Sequence, residues 1–472
     1  MALERSYASP LIILSVVCVT LVLLERRLSS RKEHGSVNDT PTMPIHRAAA
    51  LKTLMRKYLM VYALVMGADW LQGPYLYSLY SEQYGFPEEI VAVLFVTGFL
   101  SAALFAPLMG TWADQYGRKR LCLVFCGMYA ATCMLMLFPF LPLLVLSRIL
   151  GGISTSILFS AFESWLISAN GESGLRNEDL STIMGRATLV NGFVATVAGV
   201  VSNKFVEWSG GGFRSPFVAS GAVLVVAGVV ILDKWSENFV HGGASEAAVD
   251  VFQLKRLSAA VRVVAADPEL LVLGLTQTIF EGSMYIFVFI WVPALQETSP
   301  SPSSLPLGFI FSSFMVSMIL GSLFYTFTTS YWHQPQSLPA IPTTSNLQGN
   351  AVVLHVKLSS FVCAAASLAF ATCVHVGSAT SAEAEHVRFW AFCAFEACVG
   401  LYYPVQGMLR GALIANEHRA TMSALFRVPL NVFVVVSLLT GASAARELTL
   451  SICAVMLGIS SITTAVALLP RI

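Results

Sequence analysis

The chain has little charge for its length. Only 12% of its 472 residues are Asp, Glu, Lys or Arg, whereas a typical soluble domain carries about 25%. Hydrophobic residues make up 56% of the sequence. This number of charged side chains is too small to cover the surface of a soluble protein of this size. The composition therefore indicates a membrane protein.

The sequence also lacks the patterns of several other protein classes. Its nine cysteines all lie in apolar runs, so neither a disulfide framework nor a zinc site is predicted. No phosphate-binding P-loop occurs, which argues against pumping driven directly by ATP. The eight histidines are scattered, and no nucleophile lies beside a suitable base. The sequence therefore predicts no enzyme, no cofactor, no metal and no nucleic-acid partner.

The chain does contain many long apolar runs separated by short polar segments. About 20 apolar residues cross a bilayer core as a helix, whereas a barrel strand needs only about 9 to 11. The runs are continuously apolar and contain small residues, which allow membrane helices to pack closely. Thirteen runs are predicted to be membrane helices: residues 9–24, 58–80, 90–112, 121–140, 143–168, 184–206, 215–232, 270–295, 307–328, 352–376, 388–408, 421–443 and 449–470.

The first run differs from the other twelve in its flanking charges. Only Glu4 and Arg5 precede it, and four basic residues follow it within residues 26–32. A secretory signal usually has its positive charges in front. Because basic segments stay inside, residues 25–57 are predicted to be cytoplasmic and the N-terminus to lie outside. We interpret the run as an additional anchor helix, and removal of it as a signal peptide is the alternative.

The same charge rule orients the remaining twelve runs. Their predicted cytoplasmic loops are rich in Lys and Arg, and their predicted outer loops are acidic or nearly uncharged. The sequence therefore predicts an all-α polytopic membrane protein with two six-helix halves, a 12-helix bundle, plus the N-terminal transmembrane helix. Its predicted parts are an anchor helix with a cytoplasmic linker at 1–57, an N-terminal half at 58–232, a cytoplasmic loop at 233–269 and a C-terminal half at 270–472.

A short internal repeat supports two parallel halves. Residues 159–163 read FSAFE in the fourth span of the first half, and residues 392–396 read FCAFE in the fourth span of the second. Each ends in a carboxylate within an apolar span. Such a group is costly in lipid and normally faces the bundle interior or a water-filled cavity.

The loop between the second and third bundle helices reads GTWADQYGRKR, residues 110–120. It resembles the G-x-x-x-D-x-x-G-R-[KR]-[KR] signature of the major facilitator superfamily, which joins the same two helices on the cytoplasmic side. The resemblance implies a role in conformational gating for Gly110, Asp114, Gly117 and Arg118. The alternative is a basic loop that only sets topology.

Further segments narrow the resemblance to the eukaryotic molybdate-anion transporter branch of this superfamily. They are DWLQGPY at 69–75, SRILGGISTSILFSAFESWLI at 147–167, FEGSMYIFVFIWVPAL at 280–295, GFIFSSFM at 308–315, FEACVGLYYP at 395–404 and FRVPLN at 426–431. The resemblance implies cellular uptake of molybdate across the plasma membrane, with an endomembrane as the alternative location. Transport of sulfate or another small anion remains open. So does a sensor or adaptor that binds a partner through residues 233–269.

Candidate substrate-binding residues follow from the chemistry of an oxyanion. A tetrahedral dianion needs hydrogen-bond donors and positive potential, and guanidinium supplies both. Arg148 and Arg427, in the fourth and eleventh bundle helices, are the favoured candidates, with Asn191 and Tyr75 as weaker ones. The alternatives are snorkelling for Arg148, a structural ion pair for Arg427, and packing for Asn191 and Tyr75.

Four carboxylates, Asp69, Glu163, Glu281 and Glu396, lie in the first, fourth, seventh and tenth bundle helices, which are corresponding positions in the two halves. Because burial favours the neutral form of a carboxyl group, Glu163 or Glu281 could carry a proton during uptake. The alternative is that the acids neutralise arginines in interior pairs.

Overall fold

The structure, a computed structural model, describes residues 2–35, 45–238, 261–262, 264–301, 305–332, 344–377, 380–414, 419–440 and 445–468. These residues are almost entirely helical and include no β-strand, so the all-α prediction is confirmed for them. The helices are α1 Ala2–Gly35, α2 Ile45–Gln72, α3 Glu88–Tyr116, α4 Arg118–Leu135, α5 Leu141–Leu158, α6 Ala161–Glu172, α7 Asn177–Trp208, α8 Ser215–Lys234, α9 Pro268–Thr298, α10 Leu307–Trp332, α11 Thr344–Val376, α12 Ala382–Leu413, α13 Arg419–Thr440 and α14 Arg446–Leu468.

Each predicted run coincides with one of these helices or, for residues 143–168, with the pair α5 and α6. Nine helical stretches among the described residues are long and apolar enough to cross a membrane, and they include α1. Helices α2, α4 and α12 are not among the nine, and only the part Leu425–Thr440 of α13 is apolar. Charged side chains within α4 and α12, such as Arg118, Arg388 and Glu396, lower their hydropathy.

Two of the predicted runs contain a break in regular helix. A single 3-10 turn, Gly73–Tyr75, follows α2 and contains Pro74, which has no N–H to continue an α-helix. A wider π-helical turn at Leu79–Gln83 ends this run. Helices α5 and α6 are separated at residues 159–160, shortly before Glu163. Irregular backbone within a membrane span occurs where protein or a water-lined cavity surrounds it.

The chain divides into two compact units. The first, here called the N-terminal unit, contains residues 27–252 and 306–312. The second, the C-terminal unit, contains residues 1–26, 253–305 and 313–472. The four-part division that the sequence predicts stays a prediction.

Glycines allow two helices to meet closely within each unit. In the N-terminal unit, a Cβ added to Gly152 of α5 would overlap the carbonyl oxygen of Gly98 in α3. In the C-terminal unit, a Cβ added to Gly321 of α10 would overlap the carbonyl oxygen of Ala397 in α12, and one added to Gly400 would overlap that of Met318. These contacts are the backbone approach that small residues permit in membrane helices.

Helix α1 packs against the C-terminal unit. Tyr7 is fully buried, and its hydroxyl donates a hydrogen bond to the carboxylate of Glu385 near the start of α12. Its ring meets the ring of Phe389 edge to face at 5.1 Å, and the Ser6 hydroxyl lies 3.2 Å from Nε2 of His386. The sequence predicts that both ends of this contact lie on the outer side of the membrane, and this orientation stays a prediction.

A buried arginine lies next to this contact. Arg388 is only 1% exposed, and its guanidinium donates hydrogen bonds to the carbonyl oxygens of Ala294, Cys373 and Gly377. It also lies 3.5 Å from the carboxylate of Glu297. These bonds join the ends of α9, α11 and α12 within the C-terminal unit.

We expect Tyr7→Phe to destabilise the protein modestly. The variant keeps the ring but removes the donor to buried Glu385, and loss of one buried hydrogen bond typically costs about 1 to 3 kcal/mol. The measurement is the thermal unfolding midpoint of the purified full chain in detergent, compared with Tyr116→Phe, whose ring is exposed. Equal midpoints for Tyr7→Phe and the parent would show that the contact contributes nothing.

Candidate functional site

The N-terminal unit brings a carboxylate, a tyrosine and an arginine together. Asp69 lies in the last turn of α2, Tyr129 in α4 and Arg148 in α5. The Tyr129 hydroxyl donates a hydrogen bond of 2.5 Å to Oδ1 of Asp69. Arg148 interacts electrostatically with Asp69, but among the described residues no direct hydrogen bond or ion pair joins them. The acid is therefore held by the tyrosine, and the arginine remains available for another acceptor.

The guanidinium of Arg148 has a buried donor without an acceptor. Its Nη2 lies 3.4 Å from Sδ of Met136, which is a weak acceptor. Its Nε is buried and has no hydrogen-bond partner among the described residues. The hydroxyl of buried Tyr80 lies beside Arg148 and Ser147 and interacts with both. A buried donor without a partner is uncommon in proteins, and a bound water or ion is one explanation for it.

The C-terminal unit contains a related cluster around Glu281 of α9. The Tyr402 hydroxyl of α12 lies 3.4 Å from Oε1 of Glu281 and donates to it. Glu281 also interacts electrostatically with Arg410, near the end of α12, and with Arg427 of α13.

Arg427 has an exposed side chain. Its carbonyl oxygen accepts a hydrogen bond of 2.7 Å from Nδ2 of Asn431, while no described residue forms a hydrogen bond or ion pair with its guanidinium. Helix α13 continues through Pro429, so the backbone beside Arg427 remains helical. Asn431 caps the carbonyl of Arg427 from one turn later in the same helix.

Two residues of these clusters were not among the sequence candidates. Tyr129 was not singled out, because a tyrosine in an apolar span has no pattern that separates a hydrogen-bonding role from packing. Arg410 was assigned only to a cytoplasmic loop, because the predicted span ends at residue 408. Helix α12 continues to Leu413, which places Arg410 on the helix that also carries Tyr402.

The weaker substrate candidates both have partners within the N-terminal unit. The side-chain oxygen of Asn191 accepts a hydrogen bond of 2.8 Å from Nε1 of Trp70. Tyr75 is 2% exposed, and its hydroxyl donates a hydrogen bond of 3.0 Å to Asn203. These contacts account for both residues as packing groups, and a role in substrate binding stays a prediction for each.

The two carboxylates of the repeated pentapeptide have different surroundings. Glu163 of α6 is exposed and interacts electrostatically with the hydroxyl groups of Tyr58 and Tyr62 on α2. Glu396 of α12 is buried, and no hydrogen bond or ion pair from the described residues reaches it. The repeat therefore places acids at matching sequence positions in unlike environments.

The signature loop forms the junction between α3 and α4. Gly110 lies in α3, and the side chain of Asp114 lies outside the described part of the structure. Gly117 adopts a φ of 98°, which only glycine tolerates readily, and Arg118 is the first residue of α4. Gly117 thus forms a tight turn between the two helices, while the gating role of the four residues stays a prediction.

Solved structures of transporters share this fold. The nucleoside transporter NupG matches with a TM-score of 0.61 and 13% identity, covering 88% of this chain and 98% of that one. A POT family transporter in complex with 5-aminolevulinic acid matches with a TM-score of 0.66 and 11% identity, covering 88% and 96%. At this identity the likeness concerns the fold alone.

Sequence comparisons give the family. A major facilitator family model described as sugar transporters with 12 transmembrane segments matches residues 14–376. A molybdate-anion transporter of Takifugu rubripes is 31% identical over 445 residues, 90% of this chain and 85% of that protein. One of Xenopus tropicalis is 33% identical over 393 residues, 83% and 79% of the two chains. This chain is therefore a multi-pass membrane transporter, not an enzyme, and it belongs to the molybdate-anion transporter family of the major facilitator superfamily.

Proposed function

We propose that the chain takes molybdate into the cell across the plasma membrane by secondary active transport with alternating access. The observation that carries the proposal is the pair of clusters, one in each unit, in which an arginine lies near a carboxylate without a direct bond to it. The names of the relatives support molybdate as the substrate.

The chemistry of the clusters suits an oxyanion. An arginine already in a bidentate pair with a carboxylate has few donors left for a ligand. Arg148 keeps its Nε donor, and Arg427 keeps its whole guanidinium. Asp69 and Glu281 then limit the electrostatic cost of placing these cations in a membrane-spanning region. Within each unit, the arginine is the candidate ligand of an anion, and the acid orients the arginine and balances its charge.

The test is accumulation of molybdate in cells that lack their own molybdate uptake and express this chain. External molybdate is held at nanomolar concentration, and sulfate is added in large excess. We expect accumulation that resists sulfate and that stops when the ion gradients across the membrane are collapsed. Absence of uptake despite confirmed surface expression would contradict the proposal, and uptake abolished by sulfate would assign the chain to a broader class of anions.

We propose that Glu163 carries a proton during uptake, because no cationic side chain among the described residues pairs with it and holds it in the ionised form. Asp69 and Glu281 interact with arginines instead. We therefore expect Glu163→Gln to remove most of the dependence of uptake on external pH. The measurement is the initial rate of uptake at external pH values from about 5.5 to about 8.

Asp69→Asn is the control for this experiment. It removes a carboxylate of the same unit that already has an arginine nearby, so uptake should slow but keep its dependence on pH. An unchanged dependence in Glu163→Gln would rule out this residue as the proton carrier.

A further inference from the structure

A short segment that follows α8 packs against three other helices of the N-terminal unit. The segment is Trp235–Asn238, here called the strap. The ring of Trp235 stacks on that of Trp165 in α6, with 3.7 Å between ring centroids and 7° between planes. Its Nε1 donates a hydrogen bond of 3.2 Å to the carbonyl oxygen of Lys57 in α2. The first residue of the strap is thus fixed to two helices on the side predicted to be cytoplasmic.

The rest of the strap is fixed to α6 through the backbone. Nε1 of Trp165 donates a hydrogen bond of 2.9 Å to the carbonyl oxygen of Ser236. Nδ2 of Asn238 donates one of 3.2 Å to the carbonyl oxygen of Trp165, and Asn238 is only 2% exposed. The strap is therefore a well-anchored element, although it has no regular secondary structure.

Between these anchors, Glu237 reaches the signature loop. Its two carboxylate oxygens accept hydrogen bonds from the backbone N–H groups of Lys119 (2.9 Å) and Arg120 (3.1 Å). These amides belong to the first turn of α4, where N–H groups have no partner within the helix and the helix dipole favours a negative charge. Nε of Arg120 lies 3.9 Å from the same carboxylate. Glu237 thus caps α4 from a distant part of the chain.

Gly117 makes this cap possible. With a φ of 98° it turns the chain from α3 into α4. A Cβ at this position would lie 2.7 Å from the carboxyl carbon of Glu237, which is closer than real Cβ atoms approach a neighbour. The glycine of the signature loop is therefore required for the turn and also for the space that the carboxylate occupies.

We propose that Glu237 is a positioning residue for transport: it clamps the loop between α3 and α4 and holds α4 in register with α2, α6 and α8. The expected effect on transport rate rests on the proposed function. The contact of Glu237 with the loop does not depend on it. Any movement of the loop during the transport cycle then requires these two hydrogen bonds to break or the strap to move with the loop.

Cys122 provides a native reporter of the clamp. It lies one turn into α4, is 0% exposed and is close enough to Glu237 to interact with it electrostatically. The full chain is prepared in inside-out membrane vesicles, and the rate of labelling by a membrane-impermeant maleimide is measured. Cys122→Ser identifies the signal that belongs to this residue.

We expect Glu237→Ala to speed the labelling of Cys122 about tenfold, which is the change that loss of one helix cap typically produces. Glu237→Gln keeps one oxygen acceptor and should give an intermediate rate. Gly117→Ala places a Cβ in the space that the Glu237 carboxylate occupies. This variant should therefore also speed the labelling of Cys122. Glu172→Ala, which removes an exposed acid at the end of α6, is the matched control and should leave the rate unchanged.

Molybdate uptake by the same variants gives the second readout. Because Glu237 is not part of the Asp69, Tyr129 and Arg148 cluster of its own unit, we expect Glu237→Ala to lower the maximal uptake rate. The molybdate concentration that gives half of this rate should stay at the parent value. Parent-like labelling in both Glu237→Ala and Gly117→Ala would overturn the inference. Faster labelling with no uptake even by the parent would instead uphold the clamp and contradict the proposed function.

Discussion

Replacing Arg148 by alanine is expected to reduce molybdate uptake about 100-fold, because truncating a charged partner in a partly buried site typically costs about 2 to 5 kcal/mol. Arg148 is half-buried and its own Nε donor lacks an acceptor, so in the variant the anion loses both a positive charge and hydrogen bonds. Arg427→Ala should have a similar effect. The measurement is the initial uptake rate per surface-expressed molecule, and Arg186→Ala, which changes an exposed arginine in α7, is the control.

A second substitution separates anion binding from charge balance. If Arg148 only neutralises Asp69, the double variant Asp69→Asn with Arg148→Ala should regain uptake, since no charge is then left unbalanced. If Arg148 binds the anion, the double variant should remain as inactive as Arg148→Ala. We expect the second result. Recovery above about half of parent activity would assign Arg148 a structural role.

Replacing Gly321 by valine is expected to abolish accumulation of folded protein. Even one Cβ at this position would overlap the carbonyl oxygen of Ala397, so α10 and α12 would have to move apart along their contact. Overpacking a tight core costs about 3 kcal/mol or more when the obstacle is backbone rather than a movable side chain. The measurement is the monodisperse fraction of detergent-extracted protein by size-exclusion chromatography.

Gly407→Ala is the matched control for this prediction. It lies on α12 as well, but a Cβ there would have no atom within 4 Å. Because alanine favours a helix more than glycine does, this variant should be as stable as the parent or slightly more stable. Gly321→Val extracted as a parent-like peak would show that the two helices separate at little cost.

Much of the fold could be predicted from apolar run length, since a span needs about 20 residues and short polar loops separate the runs. The exact ends of the helices could not. Arg410 illustrates the reason: it was read as a loop residue because charge usually ends a span, yet α12 extends past it to Leu413. An interior partner such as Glu281 makes a charged residue acceptable within a helix.

The site was predicted less completely than the fold. The sequence identified Asp69, Glu281 and Arg148 because ionisable groups stand out within apolar runs. It gave no account of which acid meets which arginine, since that depends on packing between helices far apart in sequence. It also gave no sign that Glu237 would reach the amides of Lys119 and Arg120, more than 100 residues earlier in the chain.

The position of α1 has a consequence for biosynthesis. Tyr7 and its acceptor Glu385 are separated by 378 residues. At about 5 to 20 residues per second, a ribosome needs roughly 20 to 75 s to make the chain between them. During that time the N-terminal helix waits in the bilayer without its partner, and it can dock only after α12 has been inserted. Helix α1 therefore precedes the other described helices in the chain but is one of the last of them to reach its final position.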